Sequence, residues 1–141
     1  MPELPEVETI RRELQDAVSG KKITEVVVRN PFVIKAPRPK EFCERLKNAS
    51  VKRVLRKGKL LILELSTGDS LCVHLRMTGQ LIYPASGKMS RVSFRLSDGK
   101  ILDFMDRRLL GELRVVTDWR SLKFVKELGP EPFILTAGEF K

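Results

Sequence analysis

The sequence has few of the residues from which metal sites and disulfide frameworks are built. Its 141 residues include two cysteines and one histidine. Cys43 and Cys72 are far apart and form no C-x-x-C pair, which excludes the common zinc motifs and the disulfide scaffold of a small secreted domain. Both cysteines lie in segments with periodic apolar residues, so we expect reduced, buried thiols.

Long apolar runs and a targeting segment are also absent. No apolar run approaches the roughly 18 residues that cross a bilayer, and no basic segment precedes an apolar one at the N-terminus. We therefore expect a cytoplasmic protein that does not bind membranes. Apolar residues make up 42% of the chain, which favours one folded domain with a real core over disorder.

Acidic residues are outnumbered. Lysine and arginine total 27 against 18 acidic residues, which gives a formal charge of +9 and a pI of about 9.9. This excess predicts a polyanionic partner, nucleic acid first. A generically basic soluble protein is the alternative that charge alone leaves open.

Apolar spacing predicts helices near the start of the chain and strands afterwards. Helices are expected over 5–19 and 40–48, with a strand over 22–29 and an irregular proline-rich segment over 31–39 between them. Further strands are predicted over 51–56, 59–65, 70–77, 91–96, 100–105 and 112–116. Asp118 is the expected N-cap of a last helix that runs to Leu128. The pattern indicates an α+β, mainly antiparallel fold, a β-sandwich with flanking helices.

The first residues place a secondary amine beside a carboxyl group. If Met1 is removed, the ring nitrogen of Pro2 is a free nucleophile, and its attack on a sugar aldehyde carbon gives a cationic iminium. Glu3 is then adjacent and can act as a general acid or base. The same stretch is also typical of a helix start, because Pro5 and the acidic residues after it suit a first turn.

Three further clusters each allow a functional and a structural interpretation. Residues 52–59 carry five cations, which suits either phosphate binding or a solvated sheet edge. His74 and Arg76 share one face of a predicted strand, where a lone histidine is more often structural than catalytic. Met77 closes the apolar row of the same strand just before a turn, either as core filler or as a wedge between stacked bases. Arg107 and Arg108 either bind phosphates and fill the gap of an extruded base, or form an ordinary charged turn.

Four segments occur in an order that is specific to one family. They are residues 1–9 (MPELPEVET), 56–61 (RKGKLL), 74–79 (HLRMTG) and 128–132 (LGPEP). Together they resemble the formamidopyrimidine-DNA glycosylase family, the bacterial 8-oxoguanine repair enzymes with their endonuclease VIII relatives. The resemblance implies an N-terminal β-sandwich with two main helices.

The resemblance also implies an activity. The chain is expected to be a bifunctional DNA glycosylase of base excision repair, which removes 8-oxoguanine and formamidopyrimidines from damaged double-stranded DNA. It then cleaves the abasic site by β,δ-elimination through a Schiff base on Pro2. A monomer is expected.

Site roles follow from the same resemblance. Pro2 matches the nucleophile, Glu3 a proton donor or relay, and Glu6 a residue that supports the geometry. Lys59 matches a catalytic-site lysine that contacts phosphate near the lesion. Met77 matches the residue that fills the void of the flipped nucleotide, and Arg108 an arginine that faces the orphaned cytosine. The remaining DNA-binding candidates are Lys57, His74, Arg107 and Leu110.

The chain departs from the family pattern at three positions. Arg76 stands where glycine is usual, Leu109 replaces an arginine that holds backbone phosphate, and Leu110 replaces an aromatic wedge. Residues 1–130 are expected to form the catalytic domain, and residues 131–141 to begin a linker to a helix-two-turn-helix and zinc-finger region. Zinc is expected only in that region, and no cofactor in this chain. The alternatives are a catalytically weak or inactive nucleic-acid-binding fragment and a structural β-sandwich.

Overall fold

The computed structural model describes residues 3–86 and 90–128. Pro2 and residues 129–132 of the last family segment lie outside the described residues, as do residues 131–141. The helices are α1 (Leu4–Val18), α2 (Pro39–Leu46) and α3 (Lys123–Glu127), with 3₁₀ turns at Pro31–Val33 and Trp119–Ser121. The strands are β1 (Ile23–Val28), β2 (Ile34–Ala36), β3 (Val51–Lys57), β4 (Leu60–Leu65), β5 (Ser70–His74), β6 (Gln80–Ile82), β7 (Val92–Leu96), β8 (Ile101–Met105) and β9 (Glu112–Val116).

The strands form two sheets that enclose one main core. The first has the order β1-β7-β8-β6 and the second the order β2-β9-β5-β4-β3. Neighbouring strands are antiparallel except β2 and β9, which run parallel. Phe94 and Phe104 of the first sheet and Leu63 and Val73 of the second belong to the same buried cluster. The predicted α+β sandwich is confirmed.

Helix α1 covers the edge strand of the second sheet. Its apolar stripe, which includes Val7, Leu14 and Val18, is buried in the main core. Gln15 reinforces this packing, because its side-chain oxygen accepts the Val54 backbone N–H of β3 at 2.7 Å. The C-terminal half of α1 is thereby held against β3.

A smaller apolar cluster lies on the opposite face of the five-stranded sheet. Leu55, Ile62 and Cys72 pack there against Trp119 and Val125. Both faces of β4 and β5 are therefore covered, which explains why nearly every residue of these strands is buried. The polar face expected on β5 does not exist as a solvated surface.

Strand β5 is shorter than predicted. It ends at His74, because Arg76 adopts a φ of 55° and begins a turn. This left-handed conformation is unfavourable for residues with a side chain other than Asn or Asp. The predicted strand 70–77 is thus wrong in its last residues, and Met77 lies in the turn.

Three other elements differ from the prediction. Two are short strands that form by pairing with strands distant in sequence, and the third is a helix whose start is changed by a local cap. The segment expected to be irregular contains β2, which pairs with β9. β6 was not predicted, and it forms by pairing with β8. The last helix is interrupted, because Asp118 accepts the Arg120 N–H at 3.0 Å and caps only a 3₁₀ turn. Helix α3 begins separately at Lys123.

The cysteines are free thiols. Burial raises the pKa of Cys72 to about 12. Cys43 is only partly buried, so its predicted burial was wrong in degree. Within the described stretches, no helix is long and apolar enough to span a bilayer.

Candidate active site

The start of helix α1 presents two carboxylates. Glu3 is the N-cap residue, in an extended conformation, and its backbone N–H donates to Glu6 Oε1 at 3.1 Å. The Val7 N–H donates to the Glu3 carbonyl at 2.9 Å and closes the first turn. Glu6 therefore fixes the backbone from which Glu3 projects, while the Glu3 side chain is exposed. Pro2, the predicted nucleophile, directly precedes this turn.

Glu8 ties this helix end to β3. Its carboxylate accepts hydrogen bonds from Arg11 at 2.7 and 3.0 Å, from Arg12 at 2.9 Å and from Arg56 at 3.1 Å. Partial burial alone would raise the pKa of Glu8, but the hydrogen bonds from Arg11 and Arg56 outweigh it and lower the pKa to about 2. The carboxylate is therefore ionised at neutral pH and holds all three guanidiniums.

Arg56 carries the connection into the β3–β4 hairpin. It is 2% exposed, and its Nη1 donates to the Gly58 carbonyl at 2.6 Å. Gly58 has a φ of 58°, a conformation that favours glycine. Arg56 is thus a positioning residue rather than a free cation of the basic cluster. Its neighbour Lys57 is 9% exposed, whereas Lys59, after the turn, is partly exposed.

His74 lies on the other side of that hairpin, paired with Leu60 in the sheet. It is 4% exposed, its Nδ1 accepts the Arg76 backbone N–H at 3.2 Å, and its ring packs edge-on against Phe124 at 4.8 Å. Burial, with smaller contributions from the charges of Arg76, Arg114 and Lys59, lowers the pKa of His74 to about 4. The imidazole is neutral at pH 7, and Nε2 carries its proton because Nδ1 accepts a hydrogen bond.

Met77 stands at the tip of the turn after β5. Its side chain is 57% exposed, which excludes the interpretation as core filler. It lines an open pocket of about 410 Å³ whose wall also includes Glu6 and Ile10 of α1. Gly79 allows this turn to fold tightly, because a Cβ at this position would lie 2.7 Å from the Leu75 carbonyl oxygen.

The loop after β8 forms the next part of the same surface. Arg107, Arg108 and Leu110 are exposed along it. A second pocket of about 450 Å³ is lined by both arginines and shares Thr78 and Gln80 with the first pocket. The surface therefore runs without interruption from the start of α1, past Met77, to the two arginines.

Asp106 gives this loop its shape. The carboxylate is 3% exposed and accepts hydrogen bonds from Thr78 Oγ1 and from the backbone N–H groups of Arg108, Leu109 and Gly111 at 3.2, 3.1 and 2.6 Å. Leu109 has a φ of 59°, which these bonds hold in place. The Met77 turn and the arginine loop are thereby joined through one buried carboxylate.

The structure brings four of the predicted site residues to two adjoining pockets. Glu6 and Met77 share one pocket, and Arg107 and Arg108 line the adjoining one. His74 lines a third pocket, on the α3 side. Sequence reasoning missed the positioning roles of Glu8, Arg56 and Asp106. For Asp106 a signal existed, since an aspartate at the end of a strand typically organises the following turn.

Metal ligands are scarce in this region. Among residues 3–86 and 90–128, no group of three or more histidine, cysteine, aspartate or glutamate side chains is arranged to hold an ion.

Comparison with known proteins assigns the family. The sequence model described as "Formamidopyrimidine-DNA glycosylase N-terminal domain" matches residues 1–113. The chain belongs to this family. A formamidopyrimidine-DNA glycosylase of Pelotomaculum thermopropionicum is 48% identical over 138 residues, and that of Desulforamulus reducens is 43% identical over 139 residues. Each alignment covers 94% of this chain and 50% of the relative, so the chain spans about half the length of these curated relatives.

Solved structures of the family have the same fold. The formamidopyrimidine-DNA glycosylase (MutM) of Thermus thermophilus superposes with a TM-score of 0.78 at 35% identity, over 93% of this chain and 47% of that one. The Lactococcus lactis glycosylase, bound non-covalently to DNA that contains an abasic site, superposes with a TM-score of 0.78 at 26% identity. That alignment covers 89% of this chain and 49% of the other. The family resemblance stated from the four segments is confirmed, and the individual residue roles stay predictions.

Proposed function

We propose that this chain is the catalytic domain of a bifunctional DNA glycosylase of base excision repair. It removes oxidised purines, namely 8-oxoguanine and formamidopyrimidines, from damaged double-stranded DNA and cuts the resulting abasic site. Family membership carries the proposal, together with the surface on which the start of α1, Met77 and Arg108 meet. In this proposal the protein is a cytoplasmic monomer, residues 1–130 form the catalytic domain, and residues 131–141 begin a linker.

The chemistry starts at the nitrogen of Pro2 once Met1 is removed. That nitrogen attacks C1′ of the damaged nucleoside, and the electron pair of the glycosidic bond leaves with the base. The nitrogen then loses its proton, and the sugar ring oxygen gains one as the ring opens, which leaves a cationic Schiff base. Glu3 supplies or relays the proton. The Schiff base acidifies the neighbouring sugar proton, so both phosphates are expelled in turn by β- and δ-elimination.

The described contacts support the roles of Glu3 and Glu6. Glu3 projects from a helix end whose backbone Glu6 holds, and Glu8 and Arg56 attach that end to the hairpin of Lys59. A proton relay needs such fixed geometry. Lys59 is partly exposed at the same hairpin, where it meets a phosphate next to the lesion.

The exposed turn and loop support base extrusion. Met77 enters the void that the flipped nucleotide leaves, and Arg108 faces the orphaned cytosine. Leu110, exposed beside it, takes the place of an aromatic wedge. Arg107 and Lys57 add positive charge along the DNA path, and His74 lies where a phosphate approaches the hairpin.

A borohydride trap tests the proposal. The chain, with Met1 removal verified by mass spectrometry, is incubated with an abasic-site duplex and with an 8-oxoguanine duplex in the presence of borohydride. We expect a reduced covalent adduct that maps to Pro2 and disappears in Pro2→Gly with an acetylated N-terminus. Glu13→Gln, an exposed change in the middle of α1 and away from its first turn, is the control and should trap normally.

Two results separate the alternatives. Salt-dependent duplex binding without any adduct would favour the nucleic-acid-binding fragment and overturn the catalytic assignment for this chain. An adduct that persists when the Pro2 nitrogen is acetylated would place the nucleophile elsewhere.

A further inference from the structure

Arg76 is an unusual residue for its position. It holds a φ of 55°, where a side chain costs about 1–2 kcal/mol relative to glycine. It lies between His74, to whose Nδ1 its N–H donates, and Met77 at the tip of the turn. A strained arginine between two site residues calls for a function, since strain of this kind clusters at functional sites.

The side chain of Arg76 is only loosely held. Its Nη2 lies 3.3 Å from Glu112 Oε2, and 42% of the side chain is exposed. Glu112 has a shorter partner, because Arg114 Nη1 donates to its other oxygen at 2.7 Å. Partial burial alone would raise the pKa of Glu112, but the hydrogen bond from Arg114 lowers it. Glu112 therefore stays satisfied if Arg76 moves away.

Arg76 lines a pocket of about 350 Å³ that carries excess positive charge. Arg76, Arg114 and Lys123 line it together with Glu112 and Glu127. The two carboxylates oppose an anion, yet both are near cations, and the Lys123–Glu127 pair is long at 3.9 Å. Leu60 and Phe124 belong to the apolar remainder of the wall.

His74 supplies an independent sign of a ligand. Its side chain is 96% buried and lines this pocket, and Nδ1 is occupied by the Arg76 N–H. Among the described residues, Nε2 has no hydrogen-bond partner. A buried N–H donor without a partner costs about 1–3 kcal/mol, which an acceptor oxygen in the pocket would recover.

We propose that Arg76 exchanges Glu112 for a backbone phosphate of DNA, bound in this pocket beside His74. The inference rests on the proposed function, since the phosphate belongs to the duplex that Lys59 and Met77 contact. The phosphate oxygens accept from the Arg76 guanidinium and from His74 Nε2–H, while Arg114 retains Glu112. Guanidinium suits this role because its fork of donors matches phosphate geometry.

Salt-dependent duplex binding tests the exchange. Wild type, Arg76→Gln and Arg76→Gly are titrated with an abasic-site duplex between about 50 and 200 mM salt. In both variants we expect the slope of log K against log salt to become shallower by about 0.9, which corresponds to the loss of one phosphate contact. We also expect the affinity at the lower salt to fall roughly tenfold. Arg95→Gln is the control, since Arg95 is an exposed arginine of the other sheet with a weak 3.4 Å pair.

Arg76→Gly separates binding from structure. Glycine relieves the positive φ, so this variant should be at least as stable as wild type in thermal unfolding and still lose the contact. Full retention of the slope in either variant, or an equal loss in Arg95→Gln, overturns the inference while leaving the glycosylase proposal intact. Failure of wild type to bind duplex at any salt would instead defeat the proposed function, and the inference with it.

Two further measurements test where the phosphate binds. The NMR signal of the single histidine should shift when the duplex binds, and an unmoved signal would place the phosphate elsewhere. Inorganic phosphate should compete with the duplex no better than chloride of equal ionic strength. Specific displacement by inorganic phosphate in wild type, absent in Arg76→Gln, would mean that the pocket takes a free anion instead, and would overturn the assignment to backbone phosphate.

Discussion

Asp106 is the single carboxylate on which two loops of the candidate site depend. It accepts the side-chain hydroxyl of Thr78 in one loop and three backbone N–H groups in the other. Its neighbour Gly111 has no room for a side chain, because a Cβ there would lie 2.6 Å from Phe104 and 2.9 Å from Asp106 Oδ2. The shape of the arginine loop is therefore set by one acid and one glycine, neither of which projects into solvent.

Replacing Asp106 tests this dependence at the residue scale. Asp106→Ala should lower the free energy of unfolding by about 2–4 kcal/mol, because buried N–H groups lose their acceptor. Asp106→Asn keeps one carbonyl oxygen and should cost less. Urea denaturation measures both, with the exposed Asp16→Ala on α1 as the control, expected within about 0.5 kcal/mol of wild type. If Asp106→Ala changed the free energy of unfolding no more than Asp16→Ala does, the loop would hold its shape without the carboxylate.

At the scale of elements, local signals were predictable and non-local contacts were not. The apolar stripe of α1 and the hairpin of β7 and β8 are encoded within a few neighbouring residues, and both were predicted. The short strands β2 and β6 owe their existence to pairing with β9 and β8, which no local pattern contains.

The same limit applied to the candidate site. Sequence placed Arg56 in a basic cluster, but its burial depends on Glu8, which lies on another element. The exposure of Met77 was one of two predicted alternatives, and only the turn conformation decides between them. His74 was placed on a polar face, whereas Phe124 of the short helix α3 covers its ring.

Because α3 covers the His74 ring, the stability of the protein is predicted to depend on pH. Burial first, and then the charge of Arg76, lowers the pKa of His74 to about 4 from its usual value of 6.5. The unfolded chain thus binds the proton more readily, so His74 makes stability fall as pH decreases from about 6.5 to about 4. Phe124→Ala should raise the His74 pKa toward 6.5 and so narrow the pH range over which His74 makes stability depend on pH.

Proton NMR measures this directly, because the protein has one histidine. Phe32→Ala is the matched control, since Phe32 is an exposed phenylalanine on another element, and it should leave the titration unchanged. A midpoint for Phe124→Ala equal to that of wild type would show that α3 does not desolvate the ring.

At the scale of the whole molecule, the core and the site share one side chain. Phe104 is fully buried between the sheets, and its ring lies against the Cβ positions of both Gly79 and Gly111. The Met77 turn and the arginine loop thus rest on the same aromatic ring. Packing of the sandwich and geometry of the proposed DNA surface are linked through this contact.

Paired core substitutions separate these two effects. Phe104→Leu and Phe94→Leu should both lower stability by roughly 1–3 kcal/mol, because each leaves space in the same core. Only Phe104→Leu should speed hydrogen exchange of the Gly79 and Gly111 amides beyond what its loss of stability explains. Equal exchange in the two variants would contradict the link between core and loops.

Trp119 gives the molecule a built-in optical reporter. It is the sole tryptophan, it packs in the small cluster under α3 rather than in the main core, and its indole N–H donates to Glu64 at 3.1 Å. Intrinsic fluorescence therefore follows the outer face of the five-stranded sheet, whereas far-ultraviolet dichroism follows all of the strands. If the two traces coincide on heating, the layers melt as a single cooperative unit, and if the fluorescence changes first, the cover over His74 detaches before the sandwich opens.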